Sequence, residues 1–92
     1  MRAVQAVGGQ YLILRTIGEG GVAIVYEAED TLSGKRVALK RLRNEPNVDR
    51  RRRAVQLFER EFHTLSQLAH PRIVAAYDYG VDGIEPYYTM EL

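Results

Sequence analysis

Ile17-Gly18-Glu19-Gly20-Gly21-Val22-Ala23-Ile24-Val25-Tyr26 decides the fold, because it passes from strand to loop to strand without room for a helix. Three glycines in four positions disfavour both regular structures, so Gly18 to Gly21 reads as a loop. Before it, Tyr11-Leu12-Ile13-Leu14-Arg15-Thr16-Ile17 is apolar and β-branched, the composition of a strand. After it, Ala23 to Asp30 begins apolar and becomes mixed, again strand-like. Thr31-Leu32-Ser33-Gly34 supplies turn chemistry, and Lys35 to Leu42 sets Val37 and Leu39 against Ala38 and Lys40 in strand alternation.

Working outward, Asn44 to Asp49 contains Pro46 and breaks the pattern. A helix is predicted from a cap at Asp49 to about Leu68, ended by His70-Pro71. At about 100° per residue, Ala54, Leu57, Phe58, Phe62, Leu65 and Leu68 share one face, with Glu59, Arg60 and His63 opposite. Ile73 to Tyr77 and Pro86 to Leu92 read as two further strands around an Asp82-Gly83 turn. Residues 1–10 read as a mobile leader, leaving one domain over 11–92. The expectation is α+β: a five-stranded antiparallel sheet with one main helix against it.

Two charged residues fall where charge is costly. Lys40 shares a strand face with Ala38 and Leu42, and Glu61 falls between Leu65 and Leu68 inside the apolar arc of the helix. A lysine at a sheet edge often snorkels to water, which is the ordinary reading of Lys40 taken alone. A carboxylate directed at a sheet is expensive unless a cation meets it, so the two are predicted to be buried together as a pair. The glycine loop taken alone is equally consistent with a flexible hairpin turn. Its absence of Cβ atoms would also let backbone N–H groups approach a phosphate closely. A dinucleotide-binding loop is excluded, since a helix should follow it at once and a strand follows instead.

The loop, followed by Val37-Ala38-Leu39-Lys40, resembles the glycine-rich loop and strand lysine of the protein kinases. Phe58-Glu59-Arg60-Glu61-Phe62, then His70-Pro71-Arg72-Ile73-Val74, resembles the kinase regulatory helix and the start of the fourth strand. Pro86 to Leu92 is similar to the fifth strand entering the hinge. The Gly-x-Gly-Gly form looks most like bacterial serine/threonine kinases. The resemblance spans Tyr11 to Leu92, with four motifs in order. It implies the smaller, ATP-binding lobe of a kinase that transfers the ATP γ-phosphate to protein Ser/Thr, using magnesium.

Carried onto this chain, the resemblance makes Gly18, Glu19, Gly20, Gly21, Val22 and Ala23 the phosphate loop. Ile17, Val25 and Ala38 would cover the adenine, Met90 would be the gatekeeper, and Glu91 would offer its backbone C=O to the adenine amino group. Lys40 would bind the α- and β-phosphates and pair with Glu61, and Leu65 would belong to the hydrophobic spine. Ala23 departs from a third glycine, and Ala76 stands where a larger spine residue is usual. The catalytic loop and the magnesium ligands would lie beyond Leu92, so the 92 residues alone are expected to be inactive. A partner arrangement the resemblance implies is a homodimer through this lobe. The alternative reading is a stand-alone, non-catalytic module that binds another protein.

Composition narrows the remaining classes. Cysteine is absent, which excludes disulfides and thiolate metal sites and fits the cytoplasm. A net charge of +1 argues against nucleic acid as a partner. Apolar runs are too short for a membrane segment or a signal peptide. Arg50 to Arg53 reads as a solvated helix turn, and Tyr77, Tyr79, Tyr87 and Tyr88 read as packing residues.

Overall fold

The computed structural model of the chain describes residues 6–67 and 76–92. Its elements are β1 (Ala6–Val7), β2 (Tyr11–Glu19), β3 (Ala23–Asp30), β4 (Arg36–Leu42), α1 (Val48–Gln67), β5 (Ala76–Asp82) and β6 (Glu85–Met90). The strands form one antiparallel sheet in the order β1-β2-β3-β4-β6-β5. Consecutive hairpins build the first four strands. The helix then carries the chain past β4, so β5 takes the edge and β6 returns between them.

Among the described residues six strands are present where five are expected, and the extra one lies in the stretch expected to be a mobile leader. Gly8 and Gly9 adopt φ of 59° and 68°, and the Gln10 N–H donates to the Val7 carbonyl at 3.1 Å. Positive φ at both central residues gives a turn whose twist suits a hairpin, and it folds Ala6–Val7 back onto Tyr11 and Leu12. Val7 is fully buried against Tyr11, Ala28, Val37, Leu39 and Tyr87. Burial of one apolar side chain and a pair of strand residues holds this segment in place.

The opposite face of the sheet carries the helix. Leu42, Phe58 and Tyr88 form a second cluster, joined by Ala54, Val55, Phe62, Leu65, Tyr79 and Met90. Phe58 and Phe62 stack against Tyr88 and Tyr79, with ring centroids 4.9–6.2 Å apart. Leu57, expected in the buried arc, is instead 58% exposed. The apolar stripe is rotated toward Val55, so Leu57 falls at its margin.

The helix cap also differs from expectation. The Asn47 side-chain Oδ1 accepts from the Arg50 N–H at 3.0 Å and its carbonyl accepts from Arg51 at 2.9 Å, so Asn47 is the cap. Asp49 lies in the first turn, where its charge complements the free N–H groups. β5 continues to Asp82, beyond the expected Tyr77, while Leu68, His70, Pro71, Ile73 and Val74 lie outside the described residues. Gly83, with φ 67°, turns the chain into β6. Among the described residues, no helix is long and apolar enough to cross a membrane.

Candidate functional site

Strand register puts the candidate residues on one face. Lys40 stands opposite Val25 on one side and Tyr88 on the other, and Ala38 stands opposite Met90. Gly18 pairs with Val25, and the register slips between Thr16 and Gly18 so that Ile17 sits in a bulge. Bulges re-aim side chains, and this one leaves Ile17 41% exposed. Ala38 is buried, Val25 and Met90 are half-buried, and Glu91 follows β6 exposed.

Lys40 and Glu61 meet. Lys40 Nζ donates to Glu61 Oε1 at 2.7 Å, joining β4 to the helix. The expected burial is only partial: the side chains are 27% and 44% exposed. Charge burial therefore explains less of the pairing than anticipated, because water still reaches both groups. Tyr88, read from the sequence as a packing residue, supplies what was missed. Its hydroxyl donates to the same Glu61 oxygen from a side chain 1% exposed. Burial pushes the Glu61 carboxyl up, but hydrogen bonds from Lys40 and Tyr88 and the lysine charge outweigh it and hold the group below its ordinary value. Tyr88 is pushed up by burial, by its hydrogen bond to Glu61 and by that charge. Strand alternation separates Tyr88 from Tyr87, but only the β4–β6 register sets Tyr88 on the lysine's face.

A cavity of about 350 Å³ opens between this pair and the glycine loop. Val22, Ala23, Lys40, Leu42, Arg53 and Glu61 are among its lining residues, and Arg50 joins Arg53 on the helix side. The arginine run is largely exposed as expected, but two of its members contribute to this wall. Ile17, Val25, Ala38 and Met90 lie along the strands outside the cavity.

The loop is a short hairpin closed by the Gly20 N–H to the Ala23 carbonyl at 2.9 Å. Arg43, unremarked in the sequence, clasps it. Its Nε donates to the Gly20 carbonyl at 2.9 Å, its backbone N–H to Val22 at 2.7 Å, and its guanidinium lies 3.7 Å from the Glu19 carboxylate. None of Gly18, Gly20 or Gly21 has positive φ, and a Cβ at Gly18 or Gly20 would meet its nearest atom at 3.7 Å. The fold itself therefore tolerates side chains there. At Gly8 and Gly80 it does not, since a Cβ would run into the Tyr87 hydroxyl.

Among the described residues no three His, Cys, Asp or Glu side chains gather as a metal site. The charges around Lys40 suit an anion, and the open glycine backbone suits close approach by phosphate oxygens.

Comparison with known proteins bears on the family and the fold of the chain. The protein kinase domain family matches residues 11–92. The serine/threonine-protein kinase PrkC of Bacillus subtilis is 42% identical over 85 residues, covering 92% of this chain and 13% of that protein. The DNA damage-responsive serine/threonine-protein kinase RqkA of Deinococcus radiodurans is 42% identical over 89 residues, covering 94% of this chain and 13% of that protein. The chain thus spans about an eighth of the length of these relatives. The apo form of PpkA-294 superimposes with a TM-score of 0.79, covering 100% of this chain and 38% of that one at 21% identity, a likeness of fold.

Proposed function

Because the chain belongs to the protein kinase family, in its N-terminal part, we propose that it is the ATP-binding lobe of a serine/threonine kinase. The complete protein transfers the ATP γ-phosphate to Ser or Thr hydroxyls of a protein substrate. The observation that carries this reading is the 2.7 Å bond between Lys40 and Glu61, both of which line a cavity that Val22 and Ala23 also line.

Each residue then has a physical task. Backbone N–H groups of the Gly18 to Ala23 loop other than that of Gly20, which closes the hairpin, hold the phosphates, and the open space at Gly21 supports close approach. Lys40 binds the α- and β-phosphate oxygens as a point charge, and Glu61 keeps it aimed. Arg50 and Arg53 make the cavity mouth electropositive, which favours entry of a polyanion. Ile17, Val25, Ala38 and Met90 offer an apolar surface to the adenine, and the Glu91 carbonyl accepts from its amino group. Magnesium, when bound, neutralises charge on the phosphates; no cluster of described residues here would hold it.

Phosphoryl transfer also needs a base and metal ligands, and none is assigned among these residues. The 92 residues by themselves therefore do not catalyse transfer. ATP use and the lack of cysteine support action in the cytoplasm. The test is radiolabelled phosphate transfer from ATP to a generic protein acceptor by the full-length protein, with Lys40→Met as control. Transfer lost in that control supports the reading; equal transfer by both proteins sinks it.

A further inference from the structure

The Lys40–Glu61 bond has a third participant. Tyr88 is buried to 1% exposure and wedged between Phe58 and Phe62, whose ring centroids lie 4.9 and 5.6 Å away. It stands directly opposite Lys40 in the β4–β6 ladder, and the ammonium lies 6.0 Å from its ring centroid. Its hydroxyl donates to Glu61 Oε1, the atom that also accepts from Lys40. Glu61 itself is 44% exposed, so packing alone does not select its rotamer. A rigid, buried donor on the sheet does.

We propose that Tyr88 is a positioning residue: its hydroxyl fixes the Glu61 carboxylate, and so holds α1 where Lys40 is aimed at a bound nucleotide's phosphates. The argument is one of satisfaction. A phenol in an aromatic cluster must keep a hydrogen-bond partner, and Glu61 is the partner it has among the described residues. Moving α1 outward would break the lysine pair and also the hydrogen bond from the Tyr88 hydroxyl to Glu61. The second cost falls only on the displaced helix. Tyr88 therefore shifts the balance between paired and unpaired helix positions toward the paired one. The contact stands on geometry alone, while its consequence for nucleotide binding rests on the kinase reading above.

The test compares wild type, Tyr88→Phe, Glu61→Ala and the double variant in the full-length protein. Phenylalanine keeps the ring and its packing and removes only the donor. The Glu61 carboxyl is followed through its pH titration by carbon NMR, and ATP affinity is measured by calorimetry. Expected results for Tyr88→Phe are a raised Glu61 titration midpoint and ATP binding weakened about three- to tenfold, with no added loss in the Glu61→Ala background, which has no acceptor for the hydroxyl. An unchanged midpoint, or an equal loss of affinity in the Glu61→Ala background, overturns the proposal. ATP binding by the otherwise unmutated protein that is indifferent to Lys40→Met overturns the kinase reading and the positioning role with it. That control contains no Tyr88 variant, so the two failures are distinguishable.

Discussion

Lys40 and Tyr88 face one another across neighbouring strands, and both donate to the same oxygen of Glu61. One carboxylate thereby ties β4, β6 and α1 together at a point. The ion pair is not what attaches the helix, since a pair this exposed is worth about 1 kcal/mol or less. Phe58, Phe62 and Leu65 hold the helix down, and the three polar atoms set where along the sheet it rests.

Lys40→Met is expected to change stability by no more than about 1 kcal/mol while weakening ATP binding about tenfold or more. Urea unfolding and calorimetric titration of the same preparations separate the two effects. A large loss of stability would make Lys40 a structural residue rather than a ligand-binding one.

Phe58 and Leu57 are adjacent apolar helix residues with different surroundings. Phe58 is 5% exposed and Leu57 58%. Phe58→Ala should cost about 3–5 kcal/mol and Leu57→Ala about 0.5 kcal/mol or less. Chemical unfolding monitored by circular dichroism reads both, and equal losses would contradict the helix orientation described.

Gly80 and Gly20 make a second contrast. Gly80→Ala forces a Cβ against Tyr87 and should destabilise the lobe by about 1–3 kcal/mol. Gly20→Ala should leave the melting temperature within a few degrees and weaken ATP binding. A nucleotide affinity unaffected by Gly20→Ala would argue that the loop is only a hairpin turn.

Acid and alkali should act through different groups. Glu61 is held below its ordinary 4.5, so its contribution is complete above that pH and is lost as pH falls through its lower folded value. Burial, helped by hydrogen bonds to carboxylates, raises Tyr11 and Tyr79 to about 12, and Tyr88 is raised as well. Their contribution is complete below pH 10 and declines as pH climbs through those folded values. Stability measured between pH 8 and 12 should therefore fall beyond about 10, and a flat profile would contradict burial of these hydroxyls.

Much of this was legible because period-two alternation and glycine punctuation are local signals. The strand from Ala23 to Asp30 has the ends its residues suggest, and Lys40 falls on the predicted face. β1 was also signalled, by Gly8-Gly9, but two strand residues cannot be told from a loop until something buries Val7. The cap moved from Asp49 to Asn47 because side-chain geometry, rather than residue type alone, selects the helix's first free N–H. Leu57 shows a limit of helical phase, which defines an apolar face without defining how the partner surface is rotated beneath it. Tyr88 and Arg43 were harder still. Each makes its hydrogen bonds to residues more than 20 positions away, through contacts that exist only after the sheet closes.

The most direct test is to titrate the isotopically labelled chain with ATP and follow its backbone amides by NMR. Saturable shifts at Gly18 to Ala23 and Lys40, extending to Ala38 and Met90 and lost in Lys40→Met, are the predicted result. An absence of shifts there at millimolar ATP, or shifts confined to the outer face of α1 around Glu59 and His63, would contradict the assignment of an ATP-binding lobe.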